Sequence, residues 1–321
     1  MSRPRRIVVA LLALAAVAPI LGCDRGENEE LPDPLVISAG SPSGIYHGYG
    51  ERLGDEMASA LDLEVEVLPT DGSVDNLQDL ADGRADIAFS TVDAAADAVA
   101  GVGDFDEPLE VSALARIYDD FVHLVVLDDS AVRSVRDLRN RTVSLGASGS
   151  GTAVIADRLL AAAELPRSQV DVRMLGLTES VAALRRGEVD AFFWSGGLGT
   201  PGLSELADEV PIRLVPLAGA VRSLRAEHRS GYRHGRIPEG TYGLTEDVAT
   251  VAVPNVLMVR NDLPAPVAER VLATVFDAGG RIASDVPAAT LLDPVKAIFT
   301  EPVDLHPGAV TYYRDAQGLS G

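Results

Sequence analysis

The sequence predicts an α/β protein of two similar lobes with a ligand cleft between them. Three observations lead there: short apolar runs alternating with helical periods, one motif that recurs at a fixed offset, and four small-residue loops at equivalent points. The motif Leu80-Ala-Asp-Gly83-Arg-Ala-Asp86-Ile-Ala-Phe89 returns as Leu184-Arg-Arg-Gly187-Glu-Val-Asp190-Ala-Phe-Phe193, with leucine, glycine, aspartate and phenylalanine each shifted by 104 positions. Gly72 pairs with Gly176 at the same offset, and Ser38-Ala39-Gly40 pairs with Ser144-Leu145-Gly146 at 106.

The first element is a leader. Arg3, Arg5 and Arg6 precede an apolar run from Ile7 to Ala18, which is the layout of a secretory signal over residues 1–23 and short for a membrane span. Gly22-Cys23 has the form of a lipobox, so Cys23 is expected to carry lipid and tether the protein to the outer face of the cell membrane. Cys23 is the only cysteine, so no internal disulfide is available and the fold rests on its hydrophobic core. Residues 24–34 (DRGENEELPDP) form an acidic, proline-bearing tether. The formal net charge of −21, with Lys296 the sole lysine, excludes nucleic acid as a partner, and loss of the leader arginines makes the balance more negative.

Each lobe then repeats one order of elements. A β-rich run (Leu35 to Ala39; Thr142 to Leu145) leads into a Gly/Ser loop and a helix. A second strand follows (Leu63 to Leu68; Val170 to Leu175), then a helix ending in Leu-x-x-Gly, then a strand after the aspartate (Ile87 to Phe89; Ala191 to Phe193). Such alternation gives parallel βαβ units with both sheet faces covered. Arg116 to Leu127 is expected to be a polar turn entering a buried strand, Ala249 to Val259 a second apolar strand, and Leu263 to Val286 a helix. Asp128-Asp129 and Arg260-Asn261-Asp262 suit paired hinge crossings, and the arginine-rich segment 222–240 is expected to be irregular. The expected lobes are residues 35–123 plus 251–321, and 124–250.

Ligands in open parallel sheets sit beyond the carboxyl ends of strands. Four loops fall there: Ser41-Pro42-Ser43-Gly44, Ser90-Thr91-Val92-Asp93, residues 147–152, and WSGGLGTP at 194–201. The stretch Gly149-Ser150-Gly151-Thr152 lacks the lysine of a nucleotide loop, and the nucleophile-elbow spacing fails around Ser148. The five histidines are scattered without metal-ligand spacing, and His123 falls in an apolar strand as a core residue. No catalytic constellation, metal site or cofactor is indicated. What remains is binding: Ser150 or Thr152 can cap the following helix, and the free amides beyond the cap form an anion cradle. Tyr46 and Trp194 can wall a pocket or fill the core, and Asp93 can meet a ligand ammonium or the dipole of its own helix.

Taken together, SAGSPSGIY (38–46), DGSVDNL (71–77), GRAD (83–86), LRNRTVSLGASGSGT (138–152), GEVDAFF (187–193) and HPGAVTYY (306–313) resemble the TAXI-type solute-binding proteins of tripartite ATP-independent periplasmic (TRAP) transporters. The resemblance covers about residues 35 to 316. It implies a type II periplasmic-binding-protein fold that closes on a small organic anion, of the glutamate, glutamine or dicarboxylate kind, for delivery to an ion-coupled membrane permease. By position it assigns ligand contacts to Ser43, Gly44, Tyr46, Thr91, Asp93, Gly149, Ser150, Gly151, Thr152, Trp194, Gly196 and Gly197. The chain departs from the family at Tyr46-His47-Gly48-Tyr49-Gly50 and at Thr91-Val92-Asp93, which bears on the ligand rather than the fold. Two other functions share these features: a ligand-binding subunit that feeds a membrane sensor kinase, and an exported α/β hydrolase using Ser150 or Ser148.

Overall fold

The computed structural model describes residues 31–228, 231–316 and 318. The leader, Cys23 and all but the last four residues of the acidic tether lie outside the described residues. Within them, no helix is long and apolar enough to cross a membrane.

The first lobe opens with β1 (Leu35–Ser38), α1 (Ile45–Leu61), β2 (Val65–Leu68), α2 (Ser73–Ala81), β3 (Ile87–Thr91) and α3 (Val92–Ala100). The long strand β4 (Val111–Leu127) crosses to the second lobe, which repeats the plan as β5 (Thr142–Ser144), α4 (Gly151–Ala162), β6 (Asp171–Arg173), α5 (Leu177–Arg185), β7 (Ala191–Gly196) and α6 (Pro201–Glu209). Then come β8 (Ile212–Leu214), α7 (Val221–His228), β9 (Arg233–Ile237) and β10 (Val248–Arg260), which crosses back, and finally α8 (Ala265–Asp285) and α9 (Pro307–Ala316). The strands run β2-β1-β3-β10-β4-β7-β5-β6, with β8 on β4 and β9 on β10. In each lobe the first strand lies between its two parallel neighbours.

The recurring motif has a physical cause that is the same in both lobes. Leu80 and Leu184 are fully buried, anchoring the ends of α2 and α5. Gly83 (φ +69°) and Gly187 (φ +71°) make the left-handed turn that a side chain would strain. Asp86 then accepts the N–H of Val36 at 2.9 Å while its own N–H reaches Val36 O, and Asp190 does the same with Thr142. The aspartate thus sews the third strand to the first at the edge where their ladder begins. Phe89 and Phe193 end the motif inside the two cores.

β4 and β10 pair antiparallel with each other from Val111–Arg260 to Phe121–Ala252, through the first lobe and across the gap; beyond it β4 pairs with β7 and β8, and β10 with β9. Their apolar residues change core along the way: Leu114 to Tyr118 and Leu257 to Val259 pack with α1, α8 and α9, whereas Val122 to Val126 and Val251 to Val253 pack in the second lobe. Between these stretches stand Asp119, Asp120, Pro254 and Asn255.

Three expectations are corrected. Residues 116–127 hold no turn, because β4 runs unbroken from 111 to 127 and its polar pair sits in mid-strand. The crossings between lobes are therefore made by the strands themselves, and Asp128-Asp129 and Arg260-Asn261-Asp262 only terminate them. The segment 222–240 carries regular structure: α7 docks through its buried Val221 and Leu224, and β9 adds to β10 with Arg233 and Arg236 on opposite faces.

Because Asp86 and Asp190 bind backbone amides in different lobes, Asp86→Ala and Asp190→Ala should each destabilise the protein by about 1.5–3 kcal/mol, the worth of a hydrogen bond to a charged group. Urea unfolding should show the two losses adding in the double variant, since the sites share no partner.

Candidate functional site

The carboxyl ends of β1, β3, β5 and β7 face one another across the cleft, where they surround a partly open cavity of about 70 Å³. That is space for the centres of a few waters, which suits a compact solute. Its floor is a row across three strands. Thr91 of β3 stands opposite Asn255 of β10, which stands opposite Tyr118 of β4. Thr91 and Tyr118 are both buried and line the cavity, and neither hydroxyl has a protein partner. An unpaired buried hydroxyl costs about 1–3 kcal/mol, so a ligand able to bond with these two gains that much on entry.

Asp120 completes the floor. It is almost fully buried, its Oδ1 accepts from Asn255 Nδ2 at 2.8 Å, and its Oδ2 accepts from Ser195 Oγ at 3.1 Å. Burial is the main force raising its pKa to about 7; the Asn255 and Ser195 bonds oppose this, and Asp119 and Asp93 add to it. Tyr46 donates to Asn255 Oδ1, so Tyr46, Asn255, Asp120 and Ser195 form one network. Burial pushes the Tyr46 and Tyr118 hydroxyls well above their ordinary range, so both are neutral donors.

The walls come from helix starts. Gly44 to Tyr46 open α1 without a side-chain cap, and Gly176 and Leu177 open α5 in the same way. At α4, Ser150 Oγ accepts the Ala153 N–H at 3.1 Å and donates to Ala147 O at 2.7 Å, which makes it the cap. Thr152 Oγ1 instead accepts the N–H of Ser195, tying α4 to β7. These first-turn amides and their dipoles give the walls a positive character. Trp194, Phe193, Ile45, Leu175 and Leu177 supply apolar surface, and the Trp194 indole N–H donates to Thr200 Oγ1 at 3.2 Å. Among the described residues, no arginine, lysine or histidine lines the cavity.

The lobes also touch directly. Gly149 O accepts the N–H groups of Val74 and Asp75, at 3.0 and 3.2 Å, at the start of α2. Thr178 Oγ1 meets Ser43 Oγ at 3.2 Å on the rim. A side chain at Gly149 would collide with the Asp75 carboxylate, and a Cβ at Gly151 would stand 2.8 Å from Ser73 Oγ and 2.9 Å from Thr91 Oγ1.

Of the residues expected at the site, Gly44, Tyr46, Thr91, Ser150, Gly151, Thr152, Trp194 and Gly196 line the cavity. Four do not. Ser43 lies in the wider outer groove with Thr178 and Tyr242. Gly149 is engaged in the clasp on α2, and Gly197 backs onto Ile45. Asp93 is fully buried behind the wall, where it accepts from Tyr232 Oη at 2.5 Å and faces Arg158 at 3.5 Å, so it is not free for a ligand ammonium. His123 is buried beside Tyr242, away from the cavity, and burial lowers its pKa to about 4. Sequence reasoning missed Asp120, Tyr118 and Ser73, and placed Ser195 only as part of the loop 194–201. The available signal was Tyr118-Asp119-Asp120 inside a largely apolar 17-residue run.

Gly151→Val should weaken ligand binding at least tenfold while leaving the unfolding midpoint close to the parent's, because the methyls obstruct approach of α4 to Ser73 and Thr91 rather than either core. Retention of full affinity by this variant, measured by titration calorimetry, would contradict a closed cleft at this position.

Comparison with known proteins agrees with the architecture. CAE31940 from Bordetella bronchiseptica RB50 is similar at a TM-score of 0.53 and 17% identity, covering 88% of each chain. The alkanesulfonate-binding protein SsuA from Xanthomonas axonopodis pv. citri bound to MOPS is similar at 0.51 and 17%, covering 90% of this chain and 81% of that one. The GluR0 ligand-binding core in complex with L-glutamate is similar at 0.50 and 14%, covering 82% of this chain and 100% of that one. At these identities the likeness establishes the fold, that of two-lobed solute-binding proteins. The NMT1-like family description matches residues 37–316, and the chain belongs to the NMT1-like family.

Proposed function

We propose that the protein is an extracytoplasmic solute-binding protein that captures a small organic acid, of the glutamate, glutamine or dicarboxylate kind, in the cleft between its lobes. The observation that carries this is the cleft cavity itself. Two buried, unpartnered hydroxyls (Thr91 and Tyr118) and the starts of α1 and α4 converge on it from both lobes. Neutral donors and helix dipoles hold an acid group without a lysine or arginine, and release it when the lobes part. Two proteins of similar fold are described with an alkanesulfonate-type ligand and with L-glutamate, which supports an acidic solute.

The TAXI-like motifs support delivery of the solute to an ion-coupled TRAP permease, with Cys23 carrying the lipid that holds the protein beside it. Ser150 has its hydroxyl engaged in capping α4, which favours a binding role for this loop over a nucleophilic one.

A thermal-shift panel of amino acids, dicarboxylates and oxoacids on the leader-free protein tests the reading. A ligand at about a hundred times its Kd stabilises the fold by about 2.7 kcal/mol, and Thr91→Val should reduce that response. Failure of every organic acid to raise the melting temperature would remove the solute-binding assignment. A permease reconstituted in vesicles should take up the same compound only when this protein is added.

A further inference from the structure

We propose that Asp120 selects the ligand: it receives a cationic N–H group placed beside the ligand's acid group, so the cavity takes amino acids over the same skeletons without the amino group. The proposal rests on the solute-binding reading above and sharpens its substrate class.

The first observation is a difference among neighbouring acids. Asp119 is bound by Arg116 (2.7 and 2.9 Å) and Arg233 (2.9 Å). Asp93 and Asp97 share Arg158. Asp120, the one of these that lines the cavity, has only neutral donors, Asn255 and Ser195. Each carboxylate oxygen has capacity for a second hydrogen bond. A carboxylate this deeply buried is costly unless a cation meets it, and the cavity wall supplies none. A ligand ammonium supplies it.

The second observation is the division of the cavity by charge. The starts of α1 and α4 form positive walls, while Asp120 is on the floor and Asp71 is on the exposed side. A zwitterion matches both halves. A dicarboxylate would set a negative group against Asp120 with no intervening cation, a like-charge contact in a low-dielectric space.

The arrangement also links binding to pH. The groups facing Asp120 are Asp119 and Asp93, which oppose its ionisation, and the neutral hydroxyls of Tyr46 and Tyr118. Without ligand its carboxyl titrates near pH 7. An ammonium binds the charged form, so binding expels a proton below that pH. Affinity should then be flat just above pH 7 and fall roughly tenfold per unit below it.

The test is titration calorimetry of two matched pairs, glutamate with glutarate and aspartate with succinate, from pH 5.5 to 8.5. At pH 8 the amino acid of at least one pair should bind about a hundredfold tighter than its amine-free partner, as expected for loss of a buried charge partner. Its affinity should fall with acid, and Asp120→Asn should narrow the preference and flatten the profile. Should that variant fold poorly, the wild-type pH profile decides alone. Equal or tighter binding of glutarate or succinate, or a profile flat through pH 6, would overturn the role of Asp120 and leave the solute-binding reading intact. Silence from all four compounds would overturn this selection by Asp120, and the solute-binding reading would fall with it only if the wider thermal-shift panel were silent too.

Discussion

Two strands of one sheet must leave one hydrophobic core and enter another, and the rest of the structure depends on how that passage is made. β4 and β10 do it side by side, so their backbone groups remain paired through the gap. Their side chains cannot stay apolar there, because no core surrounds them. Asp119, Asp120 and Asn255 occupy the gap and satisfy one another and their neighbours: Arg116 and Arg233 hold Asp119, while Asn255 and Ser195 hold Asp120. Buried polar groups of this kind are tolerated when their bonds are made, and they then fix a single register.

The cleft cavity follows from that passage. Its floor is the polar row at the crossing, and its walls are the helix starts that any βαβ lobe places beyond its strand ends. Because the two lobes repeat the same order of elements, these helix starts face each other across the floor. The contacts between lobes are polar at the Gly149 carbonyl on the start of α2, the Ser43–Thr178 pair and the Arg158 cluster, and apolar where Val154 packs on the α2–α3 side and Ile45 meets Gly197.

Much of this is legible in the chain. The aspartate of Gly-x-x-Asp recurs at a fixed offset because Asp86 and Asp190 perform the same backbone tie, and local chemistry of that kind leaves a local signature. The loops at 40–46 and 147–152 are legible for the same reason, since small residues must precede the helices. Asp120 leaves no such mark. Two adjacent aspartates resemble a solvated turn, and only the approach of Ser195 and Asn255, 75 and 135 residues away, makes one of them a buried floor residue. Asp93 shows the converse: its position at a helix start invites a ligand role, and Arg158 from the other lobe removes it. In α7 the helix was hidden by arginines, with Val221 and Leu224 the buried residues that dock it.

The most direct measurement is a crystal structure with whichever organic acid gives the largest thermal shift. The account predicts the acid group on the first turns of α1 and α4, the Thr91 and Tyr118 hydroxyls bonded to ligand, and a ligand nitrogen within hydrogen-bond distance of Asp120. A ligand seated in the outer groove by Ser43 and Tyr242, with Thr91, Tyr118 and Asp120 untouched, would contradict it.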